Sequence, residues 1–278
     1  MKWVASRIEE AVKINEMYTF FRTHYDNTFK FPGETHDFWE CVYLLDGEIS
    51  VSADERVYDL KKGQMIFHKP LELHKFHVTD KNGAELIIFS FSAEGSLLAF
   101  FRDKVFSLNL IQENIMRELT AYAEAHADGS ATERMFLSAF ESVNGYSQTV
   151  ALFLHRLFLS LAESNTVLES SSEHESKVFS RAVSFMMEKL DEKPTVEEIA
   201  TRANVSVSSL KRIFIRLAGM GIHKYFLKLK LKRGAELLLD GLSVTEVAES
   251  LGFSSQGYFT KTFKRETGVL PSEMTRRK

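Results

Sequence analysis

The sequence predicts an α+β protein with an N-terminal β-barrel, helices after it, and then an all-helical domain. Two patterns predict this order. Between about residues 17 and 92, short aromatic and β-branched runs alternate with turn signals such as Asp46-Gly47 and Asn82-Gly83. Beyond about residue 110, apolar residues recur at helical spacing instead. A chain of 278 residues is also long for one core, so two domains are expected.

The N-terminal strands are predicted from the period of their side chains. In EISVSA at 48–53, Ile49 and Val51 alternate with Ser50 and Ser52, as in a half-buried strand. Similar runs recur about every eight to twelve residues, which indicates a barrel or a sandwich. We assign residues 1–107 to this domain.

Residues 108–165 carry the first helical pattern. Four apolar residues share one face of its first helix: Ile111, Ile115, Leu119 and Tyr122. The second helix is marked by Leu152, His155, Arg156, Leu159 and Ala162. Small and acidic residues then predict an exposed linker at 166–176. The two helices fit a dimer interface no better than an internal core, and both interpretations stay open.

Charge is divided unevenly along the chain, whose formal net charge is −3. Residues 177–278 hold 19 Lys and Arg against 11 Asp and Glu, a net +8. Residues 1–176 hold 16 against 27, a net −11. A basic domain joined to an acidic one suggests that only the C-terminal part meets a polyanion. The alternative is a chance difference between solvated faces.

The single cysteine, Cys41, argues against a disulfide framework and a thiolate metal cluster. The N-terminal MKWVASRIEE has no apolar core for a secretory signal, and no apolar run is long enough for a membrane span. We therefore expect a cytoplasmic protein with no membrane partner. Cys41 lies in an apolar strand without flanking Lys, Arg or His, so we expect it to pack rather than to react.

A repeat in the basic half is the most informative feature. TVEEIATRANVS at 195–206 aligns with SVTEVAESLGFS at 243–254 at an offset of 48, and one extra residue then brings Phe214 opposite Phe263. Each copy opens with a capping box, formed by Thr195 and Glu198 in the first and by Ser243 and Glu246 in the second. The repeat therefore predicts the same supersecondary unit twice.

Each unit is predicted to be a helix-turn-helix, at about 195–218 and 243–267 within a domain at 177–278. Asn204 and Gly252 occupy the turns, because both residue types tolerate positive φ. Ser206 and Ser254 are expected to open the second helices. Residues 222–239 are long enough for a connecting helix. A protein-binding helical repeat is the alternative, and it predicts no salt-dependent affinity for DNA.

The paired units, with GFSSQGYFTKTFKRETGVLPSE at 252–273, resemble the AraC family of bacterial transcription regulators over roughly residues 177–276. The resemblance implies that the second helix of each unit enters the major groove, on two successive turns of DNA. The implied base-reading residues are Ser208, Lys211 and Arg212 in the first unit and Gln256, Thr260 and Lys261 in the second. The residues expected to contact phosphates are Ser206, Arg216, Ser254, Ser255, Lys264 and Arg265.

Three residues depart from the family pattern. Asn204 stands where glycine is usual, and Gly234 interrupts the connecting helix. Gly257 leaves a groove-facing position without a side chain, so we expect fewer base contacts from the second unit.

In the N-terminal domain, GETHDFWECVYLLDGEISV at 33–51 resembles the first motif of the cupin fold, although Glu34 stands where a metal-binding cupin has its first histidine. We interpret the domain as a cupin-like sensory barrel with an organic ligand pocket and no cofactor. The pocket residues predicted are His36, Trp39, Glu40, Tyr43 and His74. A divalent metal at His36, Glu40 and His74, or no small ligand at all, are the alternatives.

These observations and the family resemblance predict a sequence-specific DNA-binding transcription regulator, an activator, whose N-terminal domain senses a small molecule such as a sugar. The expected partners are double-stranded promoter DNA, the effector, a second copy of the chain and RNA polymerase. No enzymatic activity is expected. The alternative is a metal-dependent cupin enzyme that carries a DNA-binding appendage.

Overall fold

The computed structural model describes residues 6–7, 9–29, 31, 33–129, 135–163, 167–168 and 174–274, and it confirms the α+β class. The strands are β1 (Lys13–Tyr25), β2 (Trp39–Asp46), β3 (Glu48–Ala53), β4 (Arg56–Lys61), β5 (Gln64–His68), β6 (His74–Val78), β7 (Ala84–Glu94), β8 (Val105–Ser107) and β9 (Val167–Leu168). Short 3₁₀ helices lie at Ser96–Phe101 and Met135–Leu137.

The strands form two sheets that pack face to face. The larger has the order β1-β7-β2-β5-β8-β9 and the smaller the order β4-β3-β6, with antiparallel pairing throughout. Apolar side chains from both sheets, such as Val42 and Val51, make a common core. The predicted barrel is therefore not a single closed sheet among the described residues, but two sheets around one interior.

The helices are α1 (Leu110–His126), α2 (Tyr146–Glu163), α3 (His174–Glu188), α4 (Val196–Ala203), α5 (Val207–Ala218), α6 (Ile222–Leu239), α7 (Val244–Ser250), α8 (Gln256–Thr267) and α9 (Pro271–Met274). None of those described is both long and apolar enough to cross a bilayer.

Helices α1 and α2 cover the outer face of the larger sheet. Ile115 and Leu119 are buried there as predicted, but Ile111 is exposed. Leu152 and Leu159 also point outward, since the buried face of α2 is made by other residues, including Leu154 and Phe158. The predicted apolar faces were thus wrong in part, because both helices carry apolar residues on more than one side.

The predicted linker at 166–176 is also partly structured. Residues 166 and 169–173 lie outside the described residues. Val167–Leu168 pair with Val105 and Phe106 of β8, and Ser176 is buried in the first turn of α3. An exposed linker was therefore the wrong expectation for Ser176, whose small side chain allows close helix packing.

The two repeats fold as their local signals predict. Both capping boxes form, on Thr195 for α4 and on Ser243 for α7. Asn204 and Gly252 are left-handed, with φ of 59° and 63°. Ser206 caps α5, but the cap of α8 is Ser255 rather than Ser254, because the turn of the second unit is one residue longer.

Gly234 has a packing role in the connecting helix α6. A Cβ at this position would lie 3.1 Å from the Phe259 ring and 3.3 Å from Leu251. Phe259 is fully buried in the core of the second unit. The glycine thus lets α6 approach α8 closely.

The smaller sheet contacts the helical domain directly. The Ser52 hydroxyl donates to the Leu217 carbonyl at 2.6 Å, and the Lys75 ammonium donates to the Arg216 carbonyl at 3.0 Å, both at the C-terminal end of α5. The Tyr225 hydroxyl of α6 donates to the Asp54 carbonyl at 2.7 Å. The same residue makes a second contact with the connecting helix, since the Asp54 carboxylate is paired with Lys232 of α6. Residues far apart in sequence therefore join β3 and β6 to the C-terminal helical domain.

Candidate DNA-binding face and sensory pocket

Helix α5 presents the predicted base-reading residues on one exposed face. Ser208, Lys211 and Arg212 are exposed, whereas Leu210 and Phe214 are buried on the opposite side. The Ser206 hydroxyl accepts from the Ser209 amide at the first turn. The helical period thus separates packing from polar contact, and the first unit offers two cations and a hydroxyl to a groove.

Helix α8 repeats this arrangement, with a glycine on its exposed face. Gln256 and Lys261 are exposed, and Thr260 is half-buried beside them. A Cβ on Gly257 would meet nothing within 4 Å, so this position faces open space. Tyr258 is 52% exposed, whereas the next residue, Phe259, is fully buried. Gly257 adds no side chain to this exposed face of α8.

The predicted phosphate contacts surround these faces. Ser254 and Ser255 are exposed at the start of α8, and Lys264 and Arg265 are exposed near its end. In the first unit, Arg216 lies one turn beyond Arg212 on the exposed side of α5. These positions suit contacts with the two backbones that border a groove.

An acidic residue that the sequence did not single out contacts this face. Glu175 of α3 lies 2.5 Å from the Arg216 guanidinium and 3.7 Å from that of Arg212. DNA phosphates would compete with this carboxylate for both guanidinium groups. The linker assignment concealed Glu175, because a residue expected in an exposed linker carries no expected partner.

Three of the five predicted pocket residues come together between the sheets. Glu34, His36, Glu40 and His74 each bring one ligand-type atom within 4.8 Å of the others. His36 and Glu40 also line a cavity of ≈ 220 Å³ with aromatic side chains, Phe29, Phe31, Phe38, Phe76 and Tyr25 among them. The cavity is the candidate effector pocket.

Trp39 and Tyr43 lie on the other face of β2. Both belong to the core beneath the helices, with Cys41 between them. Successive side chains of a strand point to opposite faces, so residues 39, 41 and 43 cannot share the side of Glu40. Tyr43 instead lines a separate cleft of ≈ 390 Å³ beside α1, with Arg22 and Glu113. The structure thus removes Trp39 and Tyr43 from the predicted pocket.

The electrostatics of the cluster favour a positive charge at its centre. Burial opposes a proton on His74, but Glu34 and Glu40 outweigh it and raise the pKa of His74 to about 10. Burial would likewise raise the pKa of Glu40, but His36 and His74 hold it far below its usual range. Burial raises the pKa of the Cys41 thiol, as expected for a packing residue.

Sequence reasoning missed Glu34 as a member of this cluster. Its backbone pairs with His74 through hydrogen bonds of 2.9 and 3.1 Å, which holds the two residues together. The sequence could have indicated Glu34, because it occupies the motif position at which a metal-binding cupin has its first histidine. A carboxylate there is a different ligand type, not the loss of one.

Comparisons with known proteins cover both halves. Residues 18–112 match the family described as AraC-like ligand binding domain, and residues 199–277 match one described as helix-turn-helix domain. The transcriptional activator RhaR of Mannheimia succiniciproducens is 24% identical over 265 residues, which cover 92% of this chain and 90% of RhaR. The uncharacterized regulator YfiF of Bacillus subtilis is 24% identical over 244 residues, covering 85% and 76%. Among solved structures, ToxT from Vibrio cholerae O395 aligns over 96% of this chain and 98% of its own, with 12% identity and a TM-score of 0.39.

Proposed function

This chain belongs to the AraC family of transcription regulators, and we propose that a small molecule bound beside His36 and Glu40 controls its binding to promoter DNA. Members of the family join a ligand-binding domain to a DNA-binding helix-turn-helix domain. The proposal adds the location of the effector and the way its binding reaches the DNA-binding face. A protein with this role acts in the cytoplasm, where promoter DNA is.

One observation carries the proposal: strand β6 contacts both the pocket and α5, the second helix of the first unit. His74 lies against the pocket residues, and the next residue, Lys75, donates to two carbonyls at the end of α5. An effector can change DNA affinity only if it binds the DNA-competent arrangement more or less tightly than the other. A shift of β6 on ligand binding would move the support of α5, which provides that difference.

The lining of the cavity suits a small molecule with an apolar or planar face. Its aromatic rings offer stacking surfaces, and its two carboxylates and the His36 imidazole offer hydrogen-bond partners. We propose a sugar as the first effector class to test. A sugar that binds the folded protein should raise the thermal unfolding midpoint of the full chain, with about 2.7 kcal/mol gained at one hundred times the dissociation constant. Glu40→Gln should abolish that shift, and an undiminished shift would exclude this pocket.

We further propose Arg212 as a base-reading residue and Arg216 as a phosphate contact. Arg212→Ala should weaken binding to a selected duplex by about 1–3 kcal/mol, and binding to random duplexes by less. The duplex would be selected from a randomised pool with the wild-type chain, and affinities measured by fluorescence anisotropy at several salt concentrations.

Arg216→Ala is the matched control, because it removes the same side chain from the next turn of α5. It should weaken both duplexes about equally and reduce the salt slope by about one. Equal losses on both duplexes for Arg212→Ala would contradict its base-reading role.

Homodimerisation and contact with RNA polymerase are also part of the proposal. Leu110, Ile111, Leu152 and Leu159 are exposed on α1 and α2, which supports an interface between two copies there. Two copies would place four helix-turn-helix units on one promoter, beside the polymerase. We assign no enzymatic activity, since the relatives named above are transcription regulators.

A further inference from the structure

Four side chains of the N-terminal domain converge on one point. His74 Nε2 is 3.4 Å from Glu40 Oε1 and 3.6 Å from Glu34 Oε1. His36 Nε2 is 3.7 Å from Glu40 Oε2. These separations are long for hydrogen bonds. They are close to the roughly 3.0–3.5 Å between neighbouring ligand atoms around an ion bound at about 2.1 Å.

Both imidazoles are held with Nε2 toward this point. His36 Nδ1 is 2.9 Å from the Phe38 carbonyl, and His74 Nδ1 is 3.1 Å from the Glu72 carbonyl. A carbonyl can only accept, so each Nδ1 carries a proton and donates it, which leaves the lone pair of a neutral ring on Nε2. Metal-binding histidines are usually oriented in this way.

The two Nε2 atoms make no hydrogen bond to any of the described residues. Both are buried, and neither has a hydrogen-bond partner there. Buried polar atoms are nearly always satisfied, so two orphaned nitrogens that face the same carboxylate require an explanation. The neighbouring His68 is not one, because its Nδ1 is 2.7 Å from Glu72 and its ring stacks on His74.

Charge supports the same conclusion. Glu34 and Glu40 place two negative charges around the point, a proton on His74 balances only one of them when no metal is bound, and Glu40 is buried. A buried carboxylate without a cation is costly, and a divalent ion would balance both charges. Glu34 is 45% exposed at its side chain, so an ion has a route from solvent.

We propose that Glu34, His36, Glu40 and His74 bind one divalent first-row transition-metal ion. Two imidazoles and two carboxylates suit Zn²⁺, Mn²⁺, Fe²⁺ or Co²⁺, whereas Mg²⁺ and Ca²⁺ prefer all-oxygen sites. The binding site stands on these side chains alone and does not depend on the function proposed above.

Two of the four residues are next in sequence to residues that lie against α5: Gly33 precedes Glu34, and Lys75 follows His74. A Cβ on Gly33 would lie 3.4 Å from the Ala218 carbonyl of α5, and Lys75 donates to the carbonyls of Ile215 and Arg216. A metal that joins Glu34 to His74 would fix both segments against α5. This coupling, unlike the site, rests on the proposed function.

The test is a titration of metal-free full-length protein with Co²⁺, followed by its visible absorption bands, and a competition with Zn²⁺. We expect one Co²⁺ per chain, displaced by one Zn²⁺. Glu40→Gln keeps the shape of the side chain and should weaken Co²⁺ binding at least about tenfold. His77→Ala removes a histidine from the same strand, outside the cluster, and should leave binding unchanged. Circular dichroism checks that both variants fold.

Substoichiometric Co²⁺, or equal weakening by Glu40→Gln and His77→Ala, would overturn the site. The coupling is tested separately, by DNA affinity of the wild-type chain with and without Zn²⁺. A change of at least about fivefold in DNA affinity on adding Zn²⁺, abolished by Glu40→Gln, supports the coupling. An unchanged DNA affinity with Zn²⁺ bound refutes the coupling but not the metal site. Loss of DNA binding under every condition would instead count against the proposed function.

Discussion

Replacing Asp54 with Ala is expected to lower the free energy of unfolding by about 3–5 kcal/mol, among the largest effects of any single substitution in the chain. Asp54 is 2% exposed at the tip of the β3–β4 turn. Its carboxylate is paired with Lys232 of α6 and accepts from the Leu73 amide at 3.1 Å. Ala would leave the half-buried Lys232 ammonium without its partner and the Leu73 amide without its acceptor.

The measurement is urea unfolding of the full chain at equilibrium. Asp46→Ala is the matched control, because its carboxylate also pairs with a lysine, at 3.2 Å from Lys62, but both side chains are exposed. That variant should lose less than about 1 kcal/mol. Asp54→Asn should fall between the two, since an amide oxygen can still accept from Leu73 and Asn tolerates the positive φ of 48° at this position.

If Asp54→Ala lost no more than Asp46→Ala, the contact between the sheet and α6 would not contribute to stability. The same variants also report on regulation. Asp54 joins the two halves on α6, and Ser52 and Lys75 join them on α5, so loosening one contact should change the response of DNA binding to an effector.

The repeated unit could be predicted because its signals are local. A capping box needs residues three apart, and a turn needs one residue that accepts positive φ, so Thr195, Ser243, Asn204 and Gly252 could be assigned from sequence. Strand β3 could also be predicted from its alternation, but not its burial: Ser50 and Ser52 are buried rather than exposed, because the helical domain packs against that face of the smaller sheet. Errors were of one residue, as at the cap of α8, where the extra residue in the turn moves the cap to Ser255.

The contacts between the two halves could not be predicted in this way. Ser52 and Leu217 are 165 residues apart, and nothing in either segment specifies the other. The prediction of the pocket residues was wrong in part for a different reason. Successive side chains of a strand point to opposite faces, so Trp39 and Tyr43 lie on the face of β2 opposite to Glu40, although the motif was correct. The pairing of Glu34 with His74 likewise depends on where the segment before β2 meets the start of β6.

Gly252, in the turn of the second helix-turn-helix unit, touches the segment that leads into the first unit. A Cβ there would lie 2.1 Å from the Asp191 carbonyl oxygen in the segment before α4. The buried Lys230 ammonium holds this junction, since it donates to the carbonyls of Glu192 at 2.8 Å and Leu251 at 2.9 Å. Any shift that relieves the clash therefore disturbs a second contact.

Gly252→Ala is expected to lower the free energy of unfolding by about 2–4 kcal/mol. A non-glycine residue at φ of 63° costs roughly 1 kcal/mol or more, and displacing the Asp191 backbone adds about 1–3 kcal/mol. Because the displaced segment leads into α4, the spacing of the two recognition helices should change as well, and the affinity for the selected duplex should fall even where the chain stays folded.

Gly268→Ala separates the two causes, because Gly268 also has a positive φ, of 81°, but a Cβ there would meet nothing within 4 Å. It should lose only the backbone cost, about 1 kcal/mol, and leave the spacing of the units unchanged. Urea unfolding and anisotropy on the selected duplex measure both effects for both variants. Equal losses of stability for Gly252→Ala and Gly268→Ala would mean that the backbone at Asp191 moves away without cost. The two units would then be joined by α6 and Lys230 rather than by close packing at Gly252.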